Sequence, residues 1–160
     1  DIMKRNFEYY FPRTSHGSTL SMVAHAHIAE ILGDKKLAMD SFIEALKSDI
    51  YDTQGGTTQE GIHVGVMGGT LDLFLRSFAG LNILEDRICL DPKLPEQWQS
   101  IKFKVRYKNI WFDIHVTKDV LSVLVKPFKE ASLTPKAEIP IEIKKKIYNL
   151  LPGKLHKVSI

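Results

Sequence analysis

The sequence predicts an α+β chain in two parts, a helical half followed by a small antiparallel β half. Three observations carry that reading. Before about residue 80, apolar residues recur at helical spacing. After it they alternate with polar ones along short runs bounded by turn residues. The helical half also holds too few elements to cover its own third helix. It therefore reads as the end of a larger helical assembly with a small β domain appended, or as part of a swapped, partner-dependent one.

Taking the elements in order, "PRTSHGSTLS" (12–21) places a proline, a histidine, a glycine and several hydroxyls at the head of an apolar run. From Leu20 to Leu32 the residues Leu20, Val23, Ala24, His27, Ile28, Ile31 and Leu32 share one broad helical face. Gly33 stops that helix, and Asp34 caps the next. In the second helix Leu37, Ala38, Phe42, Ala45 and Leu46 make the predicted buried stripe. With almost no loop between them, the two helices must form a hairpin. A polar loop with Gly55 and Gly56 leads to a third helix, predicted from His63 to Leu81. That helix is apolar around most of its circumference, which implies burial. Its Gly65, Gly68 and Gly69 each cost about 1 kcal/mol against alanine in a helix, so they mark close approach of a neighbour.

In the second half, "LNILEDRICLDP" reads as two short strands around a Glu-Asp turn. Ile101, Phe103, Val105 and Tyr107 alternate with Lys102, Lys104 and Arg106, the period of a strand. Turns at Lys108-Asn109 and Lys118-Asp119 then give an antiparallel meander through Val125. Residues 139–160 supply further short strands around a Pro152-Gly153 turn.

Composition narrows the function classes. The chain has 160 residues, 44% hydrophobic and 26% charged, an ordinary balance for a globular protein. A net charge of +3, with Lys144 to Lys146 as the only basic run, is too diffuse for a nucleic-acid surface. No apolar stretch approaches the roughly 20 residues needed to span a bilayer. Cys89, alone in an apolar run, permits neither an internal disulfide nor a cysteine zinc cluster. His25 and His27 are two apart, so on a helix they face different ways and cannot share a metal. There is no P-loop, no dinucleotide fingerprint and no metal-ligand spacing.

Two places offer chemistry. Ser18 and Thr19 stand at a helix head, where unpaired N–H groups and the positive end of the dipole suit a phosphate or sulfate, although such a pair also serves as an ordinary cap. In "QGGTTQEGIH" (54–63), Gln59, Glu60 and His63 converge before the third helix; His63 could donate to an anion or a sugar hydroxyl, and the same residues suit plain helix capping. Glycosidic cleavage needs a carboxylic acid for the leaving oxygen, and Glu60 has no second carboxylate placed to pair with it.

In order and spacing, "YYFPRTSHGSTLS", "SDIYDTQGGTTQEGIHVGVMGGTLDLFLRSFAGL" and "LDPKLPEQW" resemble the C-terminal part of glycoside hydrolase family 65, from about Tyr9 to Val125. That family holds maltose, trehalose and kojibiose phosphorylases together with some hydrolases. The resemblance implies the last helices of an (α/α)6 catalytic barrel over residues 1–81 and a small antiparallel β-sheet domain over 82–160. It implies a phosphate site at Ser18, Thr19 and His63, with His16, Gln59 and Glu60 as candidate substrate-binding groups. The family motif at the first site reads His-Asp-Ser-Ser-Leu-Ser. Gly17 takes the place of its aspartate, which leaves the linkage cleaved open, while Thr19 keeps a hydroxyl. The family's general-acid glutamate lies upstream, so the chain alone is expected to be inactive.

The activity implied is inverting phosphorolysis of an α-glucoside, with a disaccharide and inorganic phosphate as substrates, no cofactor and no metal. Alternatives are a family hydrolase using water, and a non-catalytic carbohydrate-binding fragment. The expected setting is cytoplasmic, away from membranes and nucleic acid, with the remainder of the barrel as partner and a homodimer as the family's common assembly.

Overall fold

The computed structural model describes residues 2–15, 18–52, 61–127 and 138–160. The chain divides into two compact units, Asp1–Ser77 and Phe78–Ile160.

The first unit is helical. It comprises α1 (Ile2–Tyr10), a 3-10 turn at Phe11–Arg13, α2 (Leu20–Leu32), α3 (Lys35–Lys47) and α4 (Val64–Leu73). The sequence reading placed no helix before Leu20. None of the residues of α1 is buried, although its apolar and polar side chains do separate onto two faces at helical spacing, a signal the sequence reading passed over. The helix is attached through Phe7 and Phe11, whose rings lie 5.2 Å apart and both meet His25 of α2 edge-on. That is a contact between residues far apart in sequence.

α2 begins and ends as its sequence predicts. Gly33 adopts φ 82, a left-handed conformation open to glycine, and its N–H bonds Ala29 and Glu30 carbonyls. Asp34 then accepts a 3.0 Å hydrogen bond from the Leu37 N–H at the start of α3. Asp34→Ala should remove this cap and cost about 1 kcal/mol, read as a lower urea midpoint with an unchanged slope.

The buried face of α2 is rotated from the predicted stripe, while that of α3 agrees with it at Ala38, Phe42 and Ala45. α2 buries Ala26 and Ala29, while Leu20, Ala24, His27 and Ile31 are exposed. α3 buries Ala38, Met39, Ser41, Phe42 and Ala45, and Leu46 is exposed. Both helices pack against each other and against α4, so small side chains take the crowded side. α4 runs on through a π turn at Phe74–Phe78, and the chain is already in a strand at Leu81, short of the helix end the sequence predicts. Its apolar circumference is only partly covered: Val66 and Leu73 are buried, but Val64 is 75% exposed and Leu71 61%.

The glycines of α4 do what their cost implies at two of three positions. A Cβ on Gly65 would lie 3.3 Å from the Leu20 side chain, and one on Gly69 3.0 Å from that of Val23. Gly68 faces open space.

The second unit is a pair of four-stranded sheets, ordered β1-β2-β6-β7 and β3-β4-β5-β8. The strands are β1 (Leu81–Ile83), β2 (Ile88–Leu90), β3 (Ser100–Tyr107), β4 (Ile110–Thr117), β5 (Val120–Pro127), β6 (Ile139–Ile143), β7 (Lys146–Leu150) and β8 (Leu155–Ser159). The meander β3-β4-β5 follows the predicted alternation, with Phe112, Ile114 and Val116 buried beside Leu121, Val123 and Val125. The late strands divide between the sheets: β8 extends the meander, while β6 joins β2 in the only parallel ladder among the described strands. Two tight hairpin turns, Lys108-Asn109 and Lys144-Lys145, take positive φ at both residues, the geometry that fits the twist of the flanking strands. The basic run is therefore partly a turn. Arg87 bonds Glu142 across the β2–β6 pair through Nε (3.0 Å) and Nη2 (2.9 Å). These bonds, Glu142 first and then Asp86, hold the guanidinium pKa above its ordinary value.

Candidate functional site

The heads of α2 and α4 bring the predicted phosphate residues to one end of the helical unit. Leu20, the first residue of α2, packs on Gly65, the second of α4; Val23 packs on Gly69 about one turn further along. The two helices therefore run side by side in the same direction, with their N-termini level. Ser18 and Thr19 precede one head, and His63 precedes the other.

At the α2 head the two hydroxyls have different jobs. Ser18 Oγ accepts a 3.3 Å bond from the Leu20 N–H, and the Ser18 carbonyl accepts a 2.8 Å bond from the Ser21 hydroxyl. Ser18 is thus the local cap. Thr19 occupies the N-cap position but makes no side-chain cap bond, and it is buried. The plain capping reading accounts for Ser18 and leaves the Thr19 hydroxyl for other use.

At the α4 head, His63 is held by a residue the sequence reading did not single out. Asp49, just beyond the end of α3, accepts a 3.0 Å bond from the His63 backbone N–H through Oδ2. Its other oxygen, Oδ1, lies 2.5 Å from His63 Nδ1, within hydrogen-bond distance. The side chains are 14% and 25% exposed for Asp49 and His63. The pair is separated by 14 positions in sequence, and no local spacing announces it. The only signal was an aspartate closing one helix shortly before a histidine opens the next.

His16, Gln59 and Glu60 lie outside the described residues. The other histidines separate as helical geometry requires. His25 sits edge-on to Phe7 and Phe11, whereas His27 Nδ1 lies 3.0 Å from the Ser77 hydroxyl. Burial, and secondarily the Glu142 carboxylate, pushes the Cys89 thiol up, which fits an inert apolar residue better than a nucleophile. Among the described residues no group of three or more His, Cys, Asp or Glu side chains could hold a metal ion. No helix among them is long and apolar enough to cross a membrane.

Chemically, two parallel helix heads concentrate N–H donors and partial positive charge at one place. A threonine hydroxyl and an imidazole are added there, and this is the composition of a small-anion cradle.

Comparison with known proteins agrees in both units. Residues 1–72 match the glycosyl hydrolase family 65 central catalytic domain, and residues 81–150 match that family's C-terminal domain. The trehalose 6-phosphate phosphorylase of Lactococcus lactis is 45% identical over 70% of this chain and 15% of its own length. A kojibiose phosphorylase of Caldanaerobacter subterraneus is 37% identical over 74% of the chain, again 15% of its own length. A solved structure of a candidate kojibiose phosphorylase from the human microbiome superposes with a TM-score of 0.78 at 29% identity, covering 99% of this chain and 22% of that one. The chain thus spans about 15% of the length of each of these two curated relatives. It belongs to glycosyl hydrolase family 65, running from the family's central catalytic domain into its C-terminal domain.

Proposed function

We propose that the chain is the C-terminal part of an inverting α-glucoside phosphorylase, supplying the phosphate-binding segment of the active site together with the accessory β domain. The observation that carries this reading is the meeting of the α2 and α4 heads, with Thr19 uncommitted to capping and His63 gripped by Asp49. The relatives add the reaction class, since those compared are named as phosphorylases of trehalose 6-phosphate and kojibiose. The exposed apolar side chains of Leu20, Ile31, Val64 and Leu71 support helices that belong in a larger helical barrel. On this reading residues 1–81 are barrel and 82–160 the C-terminal domain. His16, Gln59 and Glu60 contact the sugar, and inorganic phosphate is the co-substrate, with no cofactor.

In the mechanism that follows, an acid supplied from the rest of the barrel protonates the glycosidic oxygen. Phosphate attacks the anomeric carbon from the opposite face, where an inverting hydrolase would place its water. The C1–O bond to the leaving sugar breaks as a bond from C1 to a phosphate oxygen forms, giving β-glucose 1-phosphate and a free sugar. Ser18, Thr19, His63 and the adjoining N–H groups fix the nucleophile in line, which replaces a bimolecular encounter by a positioned one.

Titrating the labelled chain with inorganic phosphate tests the reading. Saturable NMR shifts confined to Ser18, Thr19, His63 and their neighbours are expected. A folded chain with no response there, and none when the upstream region of the barrel is added, would sink it.

A further inference from the structure

We propose that Asp49 locks the His63 ring as the Nδ1–H tautomer, so that Nε2 accepts the remaining P–OH hydrogen of a bound phosphate dianion and the site takes phosphate in preference to sulfate. The inference deepens the phosphate-site reading and rests on it.

The lock follows from what Asp49 can offer. An ionised carboxylate only accepts hydrogen bonds, so the ring nitrogen facing it at 2.5 Å must carry the proton. The second bond, from the His63 N–H to the other carboxylate oxygen, fixes the carboxylate relative to the ring from a second direction. Turning the ring over would place a C–H against the carboxylate and forfeit the bond. Nε2 is then the ring's one remaining polar atom. In the neutral ring it is an acceptor without a hydrogen.

Such an acceptor distinguishes anions of the same size and charge. The phosphate dianion has one P–OH, which Nε2 can receive, leaving three unprotonated oxygens for the helix-head N–H groups and for attack. The sulfate dianion has no hydrogen to give, so one of its oxygens would face the Nε2 lone pair unpaired. An unmet acceptor of this kind lowers affinity by about tenfold or more. Holding the P–OH away from the sugar also presents an unprotonated oxygen to the anomeric carbon. Asp49 is accordingly a positioning residue, acting on the anion through His63.

The test is a pair of NMR measurements on the 160-residue chain at alkaline pH, with the neutral ring verified from the same spectra. Long-range proton–nitrogen spectra should show His63 Nδ1 protonated and Nε2 bare. Phosphate should then titrate the site about tenfold or more tightly than sulfate. In Asp49→Asn the side-chain amide can still accept from the His63 N–H while its NH2 faces Nδ1. The tautomer should reverse, and sulfate should bind as well as phosphate. A purely structural role would move neither readout. An Nε2–H tautomer in the wild-type chain, equal affinity for the two anions, or unchanged selectivity in a folded Asp49→Asn protein overturns the proposal. If that variant unfolds, the two wild-type measurements decide alone. An Nδ1–H tautomer with no binding of either anion would instead remove the phosphate reading, and the selectivity with it, leaving only the lock.

Discussion

Replacing Gly80 with alanine is expected to destabilise the β unit by about 3 kcal/mol or more, among the larger effects of a single substitution. Two costs coincide there. Gly80 adopts φ +66, a left-handed conformation that penalises a side chain by about 1–2 kcal/mol. A Cβ at that position would also lie 2.1 Å from both the carbonyl carbon and the oxygen of Asp91, and 2.5 Å from Pro92 N. These are backbone atoms, so no rotamer change relieves the clash. Nor can the two segments simply part. The Asp91 N–H donates to the Gly80 carbonyl at 2.9 Å, and the β1–β2 ladder begins at the adjacent pair, Leu81 with Leu90. Urea unfolding followed by tryptophan fluorescence reads the loss, since Trp98 packs edge-on against Phe78 in the same unit. Gly153→Ala is the control. It shares the positive φ, at +78, but has nothing within 4 Å of the added carbon, so it should show only the conformational cost. Equal losses in the two variants would rule out close approach as the reason for Gly80.

What the sequence made legible divides along physical lines. Signals carried by neighbouring residues were readable: the limits of α2, its Gly33 stop, the Asp34 cap, and the alternation through β3, β4 and β5. Each depends on backbone preference or on a period fixed by local geometry. Features decided by distant residues were not. β8 joins the meander while β6 pairs with β2, a choice that alternation cannot express, whereas α1 carries a helical period of its own that was overlooked. The buried side of α2 was misjudged, and that of α3 was found at Ala38, Phe42 and Ala45 but not at Leu46, because periodicity finds an apolar face without saying which neighbour takes it. Leu46 and Ile31 are apolar and exposed, while Ser41 is polar and buried. For the proposed site, Ser18, Thr19 and His63 were suggested by helix heads and family resemblance. Asp49 stayed hidden, because its partnership with His63 exists only once α3 and α4 have packed.

That dependence of the site on packing makes Gly69 the position where fold and proposed function can be tested together. Gly69→Leu should destabilise the helical unit by about 1–3 kcal/mol, the usual cost of overfilling a packed contact. Already the first added carbon would sit 3.0 Å from Val23 Cγ1 and 3.2 Å from Cγ2. Val23 is β-branched and has essentially one rotamer in a helix, so it cannot swing aside. α4 must move off α2 instead, and the movement reaches the heads, where Leu20 rests on Gly65. Ser18 and Thr19 would then no longer stand level with His63, and the phosphate response should weaken along with stability. Gly68→Ala, at the adjacent position, meets nothing within 4 Å and removes a helix-interior glycine. It should raise stability by up to about 1 kcal/mol and leave phosphate binding intact. Thermal unfolding and phosphate titration of both variants separate the possibilities. Loss of stability with binding retained in Gly69→Leu would mean that the cradle does not depend on how closely α2 and α4 approach. Loss of both, with Gly68→Ala keeping both, ties the anion site to the small residues of α4.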